Sequence, residues 1–570
     1  MTLPNHIAQK ILELFINKLN DVYYLIGCIR KLTSVSSRWN REIIPKLVIH
    51  GYPTSCLEFN ESNNHVISDW VKLAERYQLS YQVDLKFKEF DDGLQYVDSI
   101  KDRVESCAII NTYKEDCENV AHFKNLKRVE LEKYITYDLK IDLKPMDNVN
   151  CELDLSAIEY QAEFDTDEED EENDLSFHID KQSMDVIFNQ NIFSVVKVNY
   201  NITINDMVLS IGNTKLTDLV FEQMSIRCDT LSHIIEKSQN LKRISLSSIH
   251  VDDSDSFDRV LDEMVRLTQL QDISFKLKGR VTFDKLISFI NETKANNLYL
   301  DFGIVEVGSS QSVMESSISN NSIQSFYFGK ITFHPITYAP QDFTLFDIWK
   351  TKSSLWELYI STTIDISIQL RYMVHVEKVT FVNQDEYQDT NSIENIILLN
   401  LPKLKYFILE KGKCCPKINP LLSSNSFISI LDLQNGYYND LIQILNHNHP
   451  TLTTLITRYL SFNYMDNLQD LFESIANNKT IPRLAILRLG LTIHQLENYP
   501  VKYINQILLQ NKTLQSLIMA TFDFKLDIDN FESALSSNTV IQYLGLYVDQ
   551  ESLHKISKIC SSQNVVFVQI

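Results

Sequence analysis

Along most of this chain one short pattern returns: an apolar residue, two variable positions, an apolar residue, one variable position, an apolar residue. It reads Leu126-Lys-Arg-Val129-Glu-Leu131, Leu241-Lys-Arg-Ile244-Ser-Leu246, Leu270-Gln-Asp-Ile273-Ser-Phe275, Ile323-Gln-Ser-Phe326-Tyr-Phe328 and Leu355-Trp-Glu-Leu358-Tyr-Ile360. Later copies start at Val376, Leu404, Ile428, Leu452, Leu484, Leu514 and Ile541. The starts lie 29 residues apart from 241 to 270, 32 from 323 to 355, 21 from 355 to 376, and 24 from 404 to 428 and again to 452. Scattered apolar triplets do not keep such spacing over half a chain. Alternation of period two is the mark of a strand, so strands are predicted near 244–246, 273–275, 358–360, 431–433, 487–489, 517–519 and 544–546.

Between the copies the period changes. Phe257, Val260, Leu261, Met264 and Val265 share one face of an α-helix, as do Leu468, Leu471, Phe472, Ile475 and Ala476; Phe283, Leu286, Ile287 and Ile290 give a shorter version. Each helix runs into a small polar cluster before the next strand: Ser238-Gln-Asn240, Asn296-Asn297, Asn477-Asn-Lys-Thr480, Asn511-Lys-Thr513 and Ser537-Asn-Thr539. Asn tolerates the left-handed conformation that closes a helix, so these clusters are predicted to be caps and turns.

A strand–loop–helix–turn unit cannot bury its apolar face alone, so neighbouring units must stack. The predicted fold class is α/β: one parallel sheet, paired in chain order on the concave side of a solenoid, with helices outside. The chain resembles the leucine-rich-repeat family, nearest its helix-rich, ribonuclease-inhibitor-like class, well over 201–570 and more loosely over 51–200. The family's Asn or Cys three residues after the last strand Leu is mostly absent here, which predicts an irregular stack without a regular buried Asn ladder. The pattern fades between 131 and 216, where Leu153-Asp-Leu155 and Phe193-Ser-Val-Val196-Lys-Val198 fit degenerate repeats. Asp165-Thr-Asp-Glu-Glu-Asp-Glu-Glu-Asn-Asp174 repels itself and contains no apolar residue, so a disordered acidic loop is expected at 165–174.

The first fifty residues differ. Leu3 and Pro4 are followed by Ile7, Ile11 and Leu12 at helical spacing, then by an apolar stretch from Val22 to Leu32, then by Val35-Ser-Ser-Arg-Trp39 and Pro45. Two or three short helices are predicted, forming an all-α module at 1–50. The order of Leu3, Pro4, Ile7, Ile11, Leu12, Val35, Ser36 and Trp39 resembles an F-box, with one or two extra helical turns before the Trp. That resemblance implies docking onto a Skp1-like adaptor of a cullin-based ubiquitin ligase, with the repeats presenting a substrate protein. The alternative is that these helices only cap the first repeat, in a non-catalytic scaffold or regulator of a small GTPase or a cytoskeletal partner.

Composition narrows the partners. The formal net charge is −22, a field that repels nucleic acid and anionic membrane alike, so the expected partners are proteins. Nine cysteines, an odd number without zinc spacing, point to reduced thiols in a cytoplasmic or nuclear protein. The opening Met1-Thr-Leu-Pro-Asn-His-Ile lacks the pattern of a signal peptide. No motif for nucleotide, metal or nucleophilic chemistry is present, so neither a cofactor nor catalysis is expected. His447 and His449 lie two apart with no nearby carboxylate or Cys, which predicts a polar turn rather than a metal site. Recognition is expected instead from side chains flanking the buried strand positions on the concave face: Trp356, Tyr359, Tyr406, Arg458, Arg488, Tyr543 and Tyr547. Aromatic residues and Arg are the types enriched where binding energy concentrates.

Overall fold

A computed structural model describes residues 9, 10, 12, 22–35, 37–53, 64–87, 101–109, 123, 125–131, 149–156, 177–178, 187–188, 193–199, 202–204, 214–249, 257–309, 313, 315–328, 332–334, 343–361, 365–382, 391–410, 418–461, 468–488, 502–524, 528–548 and 550–569. The acidic stretch 165–174 lies outside them. The chain divides into two units, the first centred on 1–289 and the second comprising 290–292, 296–301 and 305–570.

In the first unit residues 9, 10 and 12 are helical, and helices Val22–Val35 and Ser37–Glu42 are followed by a 3-10 turn Ile44–Lys46 carrying Pro45. The strands of its main sheet then pair in chain order, every pair parallel: Val48–Pro53, Ser80–Phe87, Val104–Ile109, Arg128–Leu131, Asn150–Ser156, Phe193–Asn199, Asp218–Glu222, Arg243–Ile249 and Asp272–Thr282, while Phe177–His178, Ile202–Ile204 and Ser225–Ile226 form a separate small parallel sheet. The first strand begins at Val48, so sheet pairing starts inside the stretch the sequence assigned to helices. Strands at 150–156 and 193–199 join the ladder where the pattern is weakest. A parallel connection needs a crossover, and helices such as Asn64–Tyr77, Cys228–Lys237 and Asp258–Arg266 supply it. The predicted face of the last of these is buried at Phe257, Val260, Leu261 and Met264. Phe257 meets Phe275 edge-on at 5.5 Å between ring centroids, a geometry that adds to the burial of both rings.

The second unit repeats the arrangement. Strands Asn297–Glu306, Ser325–Phe328, Glu357–Ser361, Lys378–Val382, Tyr406–Leu409, Ile430–Tyr437, Thr454–Ser461, Arg483–Ile486, Ser516–Phe524, Tyr543–Val548 and Val566–Gln569 are parallel and paired in that order. The first residue of the pattern's first gap extends each ladder by one bond. Trp356 N donates to Gln324 O, Glu377 N to Trp356 O, and Lys405 N to Glu377 O.

One predicted strand is displaced. The stretch Ile481-Pro-Arg-Leu484-Ala-Ile486-Leu487-Arg488-Leu489 satisfies the pattern in two registers three residues apart. The structure takes the earlier one, with Leu484 opposite Leu455 and Leu517. Pro482 has no N–H to give, and Arg483 N donates to Thr453 O in its place.

The polar clusters before the strands do more than cap helices. Asn320, Asn425, Asn478, Asn511 and Asn538 are buried, each three residues before the first apolar position of the pattern. Every one donates its Nδ2 to a carbonyl at the end of the preceding repeat's helix: Ile290, Ile397, Leu445, Ile475 and Leu508, at 2.6–2.9 Å. Every Oδ1 accepts from its own backbone two and three residues on, as in Asn511 with Thr513 N and Leu514 N, both 2.8 Å. Asn511 and Asn538 also donate to the carbonyl of the previous rung, Asn478 and Asn511. A buried Asn ladder therefore exists, contrary to the expectation, at the helix-to-strand turn rather than after the strand. Its cause is the spare acceptor capacity of the carbonyls at each helix end, of which Ile397 O, Leu445 O and Ile475 O otherwise accept only a 3.2–3.4 Å bond from their own turn, and which an Asx turn fixes and satisfies at once.

Strand Ile430–Tyr437 enters helix Tyr438–His447 directly. A Cβ on Gly436 would lie 2.8 Å from Cγ2 of the buried Thr457. Gly436→Ala is therefore expected to destabilise the fold by about 1–3 kcal/mol. Adding Thr457→Ser, which removes that methyl, should recover part of the loss; urea titration of both variants measures it.

Candidate protein-binding surface

In each strand of the second unit the side chains alternate between the helix-covered core and the helix-free face. Two rows on that face follow from the register. One runs Ser325, Glu357, Lys378, Tyr406, Ile430, Thr454, Arg483, Ser516, Tyr543, Val566; the other runs Tyr327, Tyr359, Thr380, Ile408, Asp432, Ile456, Ala485, Ile518, Gly545, Val568.

Of the expected binding residues, Tyr359, Tyr406 and Tyr543 lie in these rows. Tyr547 and Arg458 follow on the same strands and are exposed. Trp356, 40% exposed, belongs to a different line: it precedes its strand, in the bonded row with Gln324, Glu377 and Lys405. Arg488 is exposed but lies beyond the end of strand Arg483–Ile486 because of the shifted register, and Arg483 takes the row position instead.

The two ends of the face differ in chemistry. At the early end the aromatic residues pack on one another. Tyr299 stacks on Tyr327 at 3.8 Å between centroids, and Tyr327, itself buried, meets Tyr359 edge-on at 6.4 Å. Lys378 lies 5.7 Å from the Tyr359 ring centroid and pairs with Glu357. Burial first, then neighbouring Tyr327 for one ring and Glu357 for the other, pushes the Tyr299 and Tyr359 phenols far above their usual range, and Glu410 adds to both. Both phenols are therefore neutral hydrogen-bonding groups. Tyr359 is thus half committed to a preformed cluster.

At the later end the face is aliphatic and cationic. Ile456, Ala485, Ile518 and Val568 are partly or well exposed, beside Leu487 at 38%, Tyr547 at 46% and Val566 at 57%. Asp432 is buried and held by Arg458 through contacts of 3.0–3.4 Å. Reasoning from residue type favoured Tyr, Trp and Arg and so missed these aliphatic positions. The signal was present as apolar residues at both parities of one strand, as in Leu517-Ile518-Met519.

His449 lies in the expected turn after helix Tyr438–His447, but its side chain is buried. It is 1% exposed and stands three residues before Leu452, in the place of an Asn rung. Its Nδ1 is 3.2 Å from Ser423 Oγ, while Nε2 is buried without a hydrogen-bond partner among the described residues. Burial, then the neighbouring His447, lowers its pKa to about 4. Thr451 Oγ1 donates to Asn425 O, the bond that an amide rung makes elsewhere. His447 is exposed, with Nδ1 2.8 Å from Gln443 O. Among the described residues no group of His, Cys, Asp and Glu is placed to hold a metal. Burial pushes the Cys151 and Cys560 thiols up to about 11 and about 12, so both stay protonated and unreactive at neutral pH.

At the N-terminus Leu3, Pro4, Ile7, Ile11 and Ser36 lie outside the described residues. Leu12 and Trp39 are half-buried, and Val35 ends helix Val22–Val35. Ile26 and Ile29 of that helix are buried. Arg30 reaches Asp69 on the first crossover helix at 3.4 Å, and Gln9 Nε2 donates to Lys46 O at 2.7 Å. No helix among the described residues is long and apolar enough to cross a membrane. Compared with known protein families and with curated proteins, the chain matches none.

Proposed function

We propose that this chain is a non-catalytic recognition protein of leucine-rich-repeat type, which holds a protein partner on the helix-free face of its sheet. What carries the proposal is that face itself: a rigid parallel ladder presenting Tyr406, Tyr543, Tyr547, Arg458 and Arg483 beside exposed aliphatic residues. Sites on rigid strands hold contact groups at little entropic cost. In its specific form the proposal makes the chain a substrate receptor of a Skp1-cullin-F-box-type ubiquitin ligase, acting in the cytoplasm or nucleus. Leu3, Pro4, Ile7, Ile11, Leu12, Val35 and Trp39 then bind the adaptor.

A second reading is favoured by a particular observation. Buried Ile26 and Ile29, with the Arg30–Asp69 pair, tie the N-terminal helix to the first repeat, which is what a cap of a repeat stack does. In that case the chain is a scaffold or regulator without a ubiquitin role. The Leu3→Ala/Pro4→Ala variant separates the two. Adaptor docking predicts that the wild type co-purifies with Skp1 and a cullin, and that the variant loses at least about tenfold of that capture with unchanged ellipticity. Reduced ellipticity, with no Skp1 captured by the wild type, would establish the cap.

A further inference from the structure

We propose that the late end of the helix-free face, from strand Ile430–Tyr437 to strand Val566–Gln569, binds an extended segment of the partner in which aliphatic residues alternate with carboxylates. This rests on the receptor reading above and specifies the chemistry it recognises. The aliphatic row Ile456, Ala485, Ile518, Gly545 and Val568 is in register across five strands. At about 4.8 Å per strand it spans roughly 19 Å, the length of about six extended residues at about 3.3 Å each. Leu487, Tyr547 and Val566 widen it. Gly545, itself buried, adds no side chain to the row.

Charge selects the sign of the ligand. The chain carries 75 acidic against 53 basic residues, yet the two rows over these six strands hold one carboxylate, Asp432, and that one is buried against Arg458. Arg483 and Arg488 are exposed and make no side-chain ion pair among the described residues. Arg458 remains 55% exposed despite its pair. A cationic, aliphatic patch on an otherwise anionic molecule attracts carboxylates and discriminates against the protein's own surface. At the other end of the face Lys378 is committed to the buried Glu357, and Glu410 acts on Tyr299 and Tyr359 there and on Arg458 here, so the uncommitted positive charge is that of Arg483 and Arg488. A ligand segment is therefore directed to one end.

Three fluorescent peptides of equal length, alternating Leu with Glu, Lys or Ser, test this by anisotropy on the full chain. The Leu–Glu probe is expected to bind best, to weaken as salt is raised, and to weaken at least about tenfold with Arg483→Glu/Arg488→Glu. Both side chains are exposed, so circular dichroism should be unchanged. Leu487→Ser should weaken the Leu–Glu and Leu–Ser probes alike. Binding of the Leu–Lys probe as tight as that of Leu–Glu, or indifference to charge reversal, overturns the proposal while leaving the face as a protein-binding surface. If none of the three probes binds the wild type, the proposal also falls, and Skp1 capture by the wild type then still decides the receptor reading separately.

Discussion

Replacing Asn511 by Ala is expected to lower stability by about 4 kcal/mol, because one buried side chain there serves four backbone groups. Its Nδ2 donates to Ile475 O at 2.6 Å and Asn478 O at 2.9 Å, and its Oδ1 accepts from Thr513 N and Leu514 N at 2.8 Å. Ala leaves Asn478 O and two amides without this partner, and Ile475 O with only the 3.3 Å bond from Asn478 N, at a position only 2% exposed, where water can relieve them only by opening the turn. Because contacts in a repeat stack run between neighbours, the damage should be local. Hydrogen exchange should accelerate first at Thr513 and Leu514 and then along strand Ser516–Phe524. The exposed Asn446 is the control, and its replacement by Ala should change stability by less than about 0.5 kcal/mol. Equal urea midpoints for the two variants would show that the ladder contributes nothing.

Acidification should destabilise the protein through His449, and His449→Asn should remove that sensitivity. In the folded chain burial holds the ring near a pKa of about 4, against about 6.5 for an unfolded histidine. The unfolded state therefore binds the extra proton between those values. Stability is fully present above about pH 6.5 and is lost as the pH falls toward 4, by up to about 3 kcal/mol. Carboxylates elsewhere titrate in the same acidic range, so the diagnostic quantity is the difference between wild type and variant. Asn at this place offers the Nδ2 donor that the other rungs use, while the unpartnered Nε2 disappears. The variant is expected to be the more stable at pH 5, with the gap narrowing at pH 7.5. Parallel stability curves across that range would mean that the ring is hydrated or already protonated in the native state.

The repeat itself was legible in the residues. Leu358 and Ile360, or Leu431 and Leu433 on either side of Asp432, keep the strand period, and Phe257 to Met264 keep the helical period. Such periods are local properties of a strand or helix that has one buried face, so elements and core were readable without coordinates. Helices Val22–Val35 and Ser37–Glu42 follow from the apolar stretch there for the same reason. Val48–Pro53 was not, since a strand so close to a helical run has no room to declare its own period.

What the sequence could not determine concerns neighbours 24 to 33 residues apart. The stretch from Ile481 to Leu489 fits two registers equally well in isolation. The register is decided by the rung Asn478, whose Oδ1 accepts from Ile481 N within the turn and whose bond to Leu445 O exists only when repeats are stacked. That choice moves Arg483 onto the helix-free face and Arg488 beyond the strand. Stacking likewise buries Tyr327 between Tyr299 and Tyr359, and it joins single aliphatic residues from separate strands into one exposed row. By itself the chain specified which residues turn inward within each repeat, because hydrophobic burial is set by local alternation. Only the tertiary structure decided which side chains share the outward face, because that depends on the register between repeats, which is fixed by hydrogen bonds no single repeat can make.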